Sequence, residues 1–138
     1  MTAKEELKKI RKMNYLINQM HETVDVLRAR LLGSRSVPDD VRVQNSLKHP
    51  DPAADRLAKI IDLENMINES IDYSVDLKRD AMATIMKMQN EDQKSILIAR
   101  YFNGRKWDEI AEDMSYHVQR VYQIHGEALI SYGANRWK

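Results

Sequence analysis

Four side chains near the C-terminal end of the chain carry the chemistry needed to read base pairs. Gln119, Arg120, Tyr122 and Gln123 are interleaved with the apolar residues Val121, Ile124 and Ala128. On a helix, the 121–124–128 spacing gathers the apolar residues on one side and turns the four polar ones outward. An Arg guanidinium can bridge the two acceptors of guanine, a Gln amide can pair with adenine, and a Tyr ring can meet a thymine methyl or a phosphate. The same four residues could also be the ordinary polar face of a helix whose back is buried. Upstream, Arg105 and Lys106 precede a helix expected to start near Lys106 or Trp107. There they can face phosphate while the acids of that helix face away. His117 is expected to cap the reading helix or to contact phosphate, and His125 to sit beside the core. The candidate DNA-contacting set is therefore Arg105, Lys106, Trp107, His117, Val118, Gln119, Arg120, Tyr122 and Gln123.

Charge alone argues for little. From Asn90 to Lys138 there are seven basic and seven acidic residues, and the whole chain carries a formal +1. Phosphate attraction supplies most nonspecific affinity, so one copy of such a domain should bind weakly. Two copies on one operator would bind more tightly. The same balance would suit a domain that meets a protein.

These residues need a scaffold, and the spacing around them predicts one. Ala111 is small where two helices must approach, and Ser115 is small enough for a tight turn. Val121 points inward, with Ile110, Met114, Tyr116 and Ile124 filling the remaining inward positions. This is the pattern of a helix-turn-helix. Asn90 and Gln93 have capping spacing and open a support helix, Glu91 to Phe102, with Ile96, Leu97 and Tyr101 inward. Asn103-Gly104 ends it. The reading helix is expected from His117 or Val118 to about Ser131, with the tail from Tyr132 to Lys138 fraying.

Leu97, Arg100, Tyr101, Gly104, Glu109, Ile110, Ala111, Met114, Val121, Ala128 and Leu129 together resemble the region-four domain of bacterial sigma factors. The chain more closely resembles ArpU-type and RinA-type regulators of phages of Gram-positive bacteria. Those proteins set a helical N-terminal half, here with IIDLEN from Ile60, ahead of a sigma-like end. Sigma domains usually place Gly at the turn and Ser or Thr at the following cap, where this chain has Ser115 and His117. The fold expectation survives that departure, but no DNA sequence preference is carried over. The resemblance implies a phage or prophage transcriptional regulator acting on promoter or operator DNA, with RNA polymerase as a further partner.

In the N-terminal half, Thr2 and Glu5 have capping-box spacing. Ile10, Met13, Ile17, Met20, Val24, Leu27 and Leu31 then follow in three-four alternation, a heptad seam ending before Gly33. So narrow a stripe needs a partner helix, from the same chain or from a second copy. A polar connection is expected from Gly33 to Pro50, tacked down by Val37, Val41, Val43 and Leu47. Asp51-Pro52 starts a second long helix, Ala53 to Met88. Its stripe of Leu57, Ile60, Ile61, Leu63, Ile67, Ile71, Val75, Leu77, Met82, Ile85 and Met88 is wider than one seam and suggests contacts on two sides. Lys4, Lys8, Lys9, Arg11 and Lys12 make the first turns basic, either a solvated face or a DNA-backbone contact. The eight Met are expected mostly to fill core.

Composition closes off other classes. Four Gly and three Pro are too few for an all-β chain. No Cys excludes disulfides and thiolate metal sites and fits a reducing cytoplasm, which the resemblance implies is that of a bacterial host cell. No apolar run approaches membrane length, and the charged start has no signal-peptide core. His117 and His125 are too far apart on one helix to share a metal. No phosphate-binding Gly loop or nucleophile setting is present, so neither enzyme activity nor a cofactor is expected. The expectation is an all-α chain: a long antiparallel helical hairpin over 1–89 that oligomerises, a dimer being favoured, and a sigma-region-four-like helix-turn-helix over 90–138. A DNA-packaging, small-terminase-like subunit would combine the same parts. So would a module that contacts RNA polymerase without DNA affinity of its own.

Overall fold

A computed structural model describes residues 1–33 and 52–137, and its described elements are all helices. Helix α1 spans Ala3–Gly33, α2 Pro52–Met86, α3 Glu91–Leu97, α4 Trp107–Met114 and α5 Val118–Arg136; a π-helical turn, Ile98–Phe102, continues α3. No described helix is long and apolar enough to cross a membrane. The expected connection beyond Gly33, with its valines, Leu47 and Asp51 cap, lies outside the described residues.

Local chemistry explains the helix ends. The Thr2 hydroxyl accepts from the Glu5 amide at 3.2 Å, and the Glu5 carboxylate accepts from the Thr2 amide at 2.9 Å. This reciprocal box satisfies two amides that a helix start leaves unpaired. Pro52 is the first residue of α2, where a missing amide hydrogen costs nothing. The Asn90 side chain caps α3 by accepting from the Gln93 amide at 3.0 Å. Gly104, at φ +68°, lets the chain leave the π-helical turn, and the Arg105 amide folds back to the Ala99 carbonyl at 2.9 Å.

The chain forms two compact units. The first comprises residues 1–16 and 72–138. One of its clusters gathers Ala3, Leu7 and Ile10 of α1, Ala81 and Ile85 of α2, Met88, Leu97, Tyr101, and Ala128 and Tyr132 of α5. Another joins α3, α4 and α5 through Ile96, Ile110, Ala111, Val121 and Ile124. The second unit, residues 17–71, buries Val24, Ile60 and Ile67, with Met20, Leu27, Leu31, Leu63 and Ile71 partly covered. Arg28 and Glu64 form an ion pair in it.

Several expectations change. The division at 89/90 does not coincide with these units, because α1 and α2 each give apolar residues to the cluster that holds α5. The seam begins earlier than Ile10: Ala3 and Leu7 are buried too. The tail does not fray. Helix α5 runs on to Arg136 because Tyr132, fully buried, continues the inward row one turn past Ala128, and Trp137 meets its ring edge-on at 6.4 Å. Arg136 then pairs with the buried Glu6 at 3.1 Å. Tyr116 is exposed rather than inward, and Met66 and Met86 are exposed rather than core.

Candidate functional site

Ser115 sets the path between α4 and α5. It adopts the left-handed conformation (φ 58°, ψ 38°), rare for a residue with a side chain. Its amide bonds the Glu112 carbonyl at 3.2 Å, and the Tyr116 amide reaches Ala111 at 3.0 Å, so the last carbonyls of α4 are satisfied. The Tyr116 hydroxyl donates to Asp92 at 2.6 Å and ties the turn to α3; that bond raises the hydroxyl's pKa. His117 caps α5 through its backbone alone. Its carbonyl accepts from the Arg120 and Val121 amides, and its side chain makes no capping bond.

Helix α5 presents Gln119, Arg120, Tyr122 and Gln123 to solvent, while Val121, Ile124 and Ala128 are buried. Arg120 donates to the Gln123 side chain at 2.9 Å, so the guanidinium and the amide are displayed as a pair one turn apart. Val118 is half-buried against the α4–α5 cluster.

Arg105 is placed differently from expectation. The acids of α4 do not all face away from it: Arg105 pairs with Glu109 at 3.3 Å and with Asp113. Positions four and eight residues on recur on one side of a helix, which aligns both carboxylates with the Arg105 stem. Asp113 first, then Glu109, raise the pKa of the guanidinium. Lys106 is exposed, and its amide donates to the Glu109 carboxylate at 3.4 Å.

Behind this surface lies an aromatic group. The Arg100 guanidinium stacks 4.5 Å over the Trp107 ring. Trp107 meets Tyr122 at 5.4 Å and His125 at 4.6 Å, both edge-on. Tyr101 and His125 Nε2 are 2.7 Å apart. Burial raises the Tyr101 pKa, so the hydroxyl keeps its proton beside the imidazole. Burial first, then Lys4 and Arg100, push His125 down to about 4. The π-helical turn carries both Arg100 and Tyr101; its Asn103 amide bonds the Ile98 carbonyl five residues back. Such a turn shifts the helical register by one residue, here burying Tyr101 while Arg100 reaches Trp107.

The aromatic group opens into a cleft of about 360 Å³ whose other wall is Lys4, Lys8 and Arg11 of α1. In the sequence these three stand out only as part of a basic first stretch. Their signal is the 4–8–11 spacing, offset by one from the buried 3–7–10 row, which puts them on the rim of the apolar face. No protein-family model matches the chain, and neither a curated protein nor a solved structure matches it.

Proposed function

We propose that the chain is a phage or prophage transcriptional regulator that binds promoter or operator DNA through a sigma-region-four-like helix-turn-helix, with α5 as the reading helix. The observation that carries this reading is the division of α5 into a buried row, Val121, Ile124 and Ala128, and an exposed row, Gln119, Arg120, Tyr122 and Gln123. A reading helix needs that division, with donors and acceptors near its N-terminal half where it enters the major groove. The resemblance to ArpU-type and RinA-type regulators supports the same reading. Arg120 and Gln123 read bases; Lys106 and Arg105 hold phosphates, Arg105 only after exchanging its carboxylate partners for the backbone.

The regulator acts as a homo-oligomer. Support comes from the second unit, where Val26, Leu57, Ile61 and Met66 remain 42–61% exposed beside a core of Val24, Ile60 and Ile67. A second copy offers the same exposed residues, and packing the two patches together would cover them. Sedimentation of the full chain at micromolar concentration should show a dimer, while a monomer would remove this part of the reading and a ring would favour a packaging subunit.

DNA binding is tested by selecting duplexes from a random-sequence pool with the full chain. A recurring motif should emerge, and Arg120→Ala should then lose about 1–3 kcal/mol on it, with base preference relaxed at one position. A pool with no enriched motif would defeat the regulator reading. An intact fold whose specific binding ignores Arg120→Ala would make the outward face of α5 a protein-docking surface instead.

A further inference from the structure

The cleft beside α5 concentrates positive charge without neutralising it. Lys4, Lys8, Arg11 and Arg100 line it, and none of the four has a carboxylate partner among the described residues. Arg100 donates to the Arg105 carbonyl at 3.1 Å and stacks on the Trp107 ring, neither of which cancels its charge. The neighbouring Arg105, by contrast, is neutralised by Asp113 and Glu109. Arg100 is partly withdrawn from water, and its guanidinium pKa is lowered by that burial and by Arg11. Cations held together this way repel one another, and a bound anion relieves the repulsion. Tyr101, Trp107, Tyr122 and His125 form the rest of the wall, and Tyr122 also belongs to the exposed face of α5. The cleft thus adjoins the proposed reading surface.

We infer that this cleft is a phosphate seat, and that the phosphate it takes belongs to the backbone of the DNA lying along α5. The inference rests on the DNA-binding reading above and supplies what that reading lacked. Residues 90–138 carry no net charge, but residues 1–16, in the same compact unit, bring five basic side chains against two acidic ones. The start of α1 is therefore an electrostatic part of the DNA-binding unit. The four cleft cations, more than the paired Arg105, hold the strand that flanks the groove. Phosphate contacts fix register and carry no base information, so the cleft governs affinity and salt dependence, not sequence choice.

The experiment uses the full chain and the triple variant Lys4→Ala/Lys8→Ala/Arg11→Ala, with helicity checked by circular dichroism. These side chains lie outside the buried core and Ala favours helix, so the fold should hold. Binding is measured on the selected duplex and on a scrambled one at several salt concentrations. The variant should weaken both by a similar factor, on the order of tenfold at low salt, and reduce the log–log salt slope by about one to two. In a Trp137→Phe background, Trp107 is the only indole, and its fluorescence should respond to duplex binding. Inorganic pyrophosphate and a nucleoside triphosphate, titrated in the same background, test a free-phosphate source. If the parent binds duplex and the variant keeps its salt slope, the phosphate seat is refuted while the regulator reading stands. If the parent binds no duplex, both fall. A saturable micromolar response to the triphosphate, lost in the triple variant while duplex binding is unaffected, would make the cleft a free-nucleotide site and overturn the assignment to DNA.

Discussion

The two compact units are built from the same two long helices, yet they solve the problem of burial differently. In the first, α1 and α2 share their apolar faces with α3 and α5, and Leu7, Ile10, Ile85, Ile96, Leu97, Ile110, Val121 and Tyr132 are all essentially sealed from water. In the second, α1 and α2 supply Val24, Ile60 and Ile67, none of them among those sealed residues. A heptad-like stripe is too narrow to enclose a side chain by itself; it becomes a core only where a third surface closes over it. The first unit finds that surface in its own chain. The second does not find it among the described residues and leaves Leu57, Ile61 and Met66 exposed. The proposed oligomer is the natural place for such residues to go, and the difference separates a rigid site from a region whose stability should depend on concentration.

The sharpest way to break this comparison is to remove the side chain that closes the first unit. Tyr132→Ala should cost about 3–5 kcal/mol, the usual range for deleting a large buried ring. Hydrogen exchange followed by mass spectrometry reads opening segment by segment, so the loss should appear in residues 72–137 and the start of α1, at every protein concentration. Exchange in the rest of α1 and α2 should instead slow as concentration rises. Equal, concentration-independent losses in both units would show that the chain opens as one body.

How much of this was legible in the sequence depended on how local the cause was. The Thr2–Glu5 box, the Asn90 cap, the Pro52 start and the inward row of Val121, Ile124 and Ala128 are set by residues within a turn or two of one another, and spacing revealed them. Tyr132 extends that row, but the polar residues around it suggested a frayed tail. Its burial depends on α1, more than a hundred residues away. The cleft was hidden for the same reason. Nothing in the spacing of Lys4, Lys8 and Arg11 says that Arg100 and Trp107 lie opposite. Arg105 failed in the other direction: its partners were local, at four and eight residues, and the regular spacing that pairs them could have been read.

The next effect in size comes from an ionic contact that ties α5 to α1 in the first unit. Glu6 is buried, and Arg136 is its partner; among the described residues, the second carboxylate oxygen of Glu6 and the Tyr132 hydroxyl have no hydrogen bond. Burial first, then Glu6, push the Tyr132 pKa up to about 12, so the ring stays neutral beside the carboxylate. Arg136→Met strands that carboxylate and should cost about 2–3 kcal/mol, toward the low end for a broken buried pair because Arg136 is partly exposed. Adding Glu6→Gln should restore part of the loss. Thermal unfolding of the single and double variants measures both. No loss in the single variant would mean that water reaches Glu6 and that the first unit is less sealed than its apolar clusters suggest.

A smaller effect should separate the units by pH. His125 is neutral in the fold down to about pH 4, whereas in the unfolded chain it takes up a proton near 6.5. The unfolded state therefore binds more protons between those values. Stability is fully present above about pH 6.5 and declines as pH falls toward 4. Protonation would also place a third cation near Lys4 and Arg100. Because the ring is only partly covered, the decline should amount to about 1–2 kcal/mol after solvent screening. His125→Gln should flatten this part of the profile, seen as the difference between parent and variant and confined to first-unit amides. A parallel decline in both proteins would assign the acid sensitivity elsewhere.

The smallest expected effect uses the two left-handed turns of the first unit against each other. Gly104 and Ser115 sit at φ +68° and +58°, one glycine and one not. Ser115→Gly removes the side-chain penalty of that conformation but frees the unfolded chain, so the net gain should be about 0.5 kcal/mol. Gly104→Ala does the reverse. A Cβ built at Gly104 would meet nothing within 4 Å, so its cost is backbone strain alone, about 1 kcal/mol. Both changes should move the unfolding of the first unit and leave exchange in residues 17–33 and 52–71 untouched. Ser115→Gly also tests the site. The left-handed residue aims α5, so a fixed aim should leave any selected DNA motif unchanged while the first unit gains stability. If glycine instead loosens the motif, the serine side chain is holding the angle at which α5 is presented, and the first unit is rigid there because of that residue as well as its core.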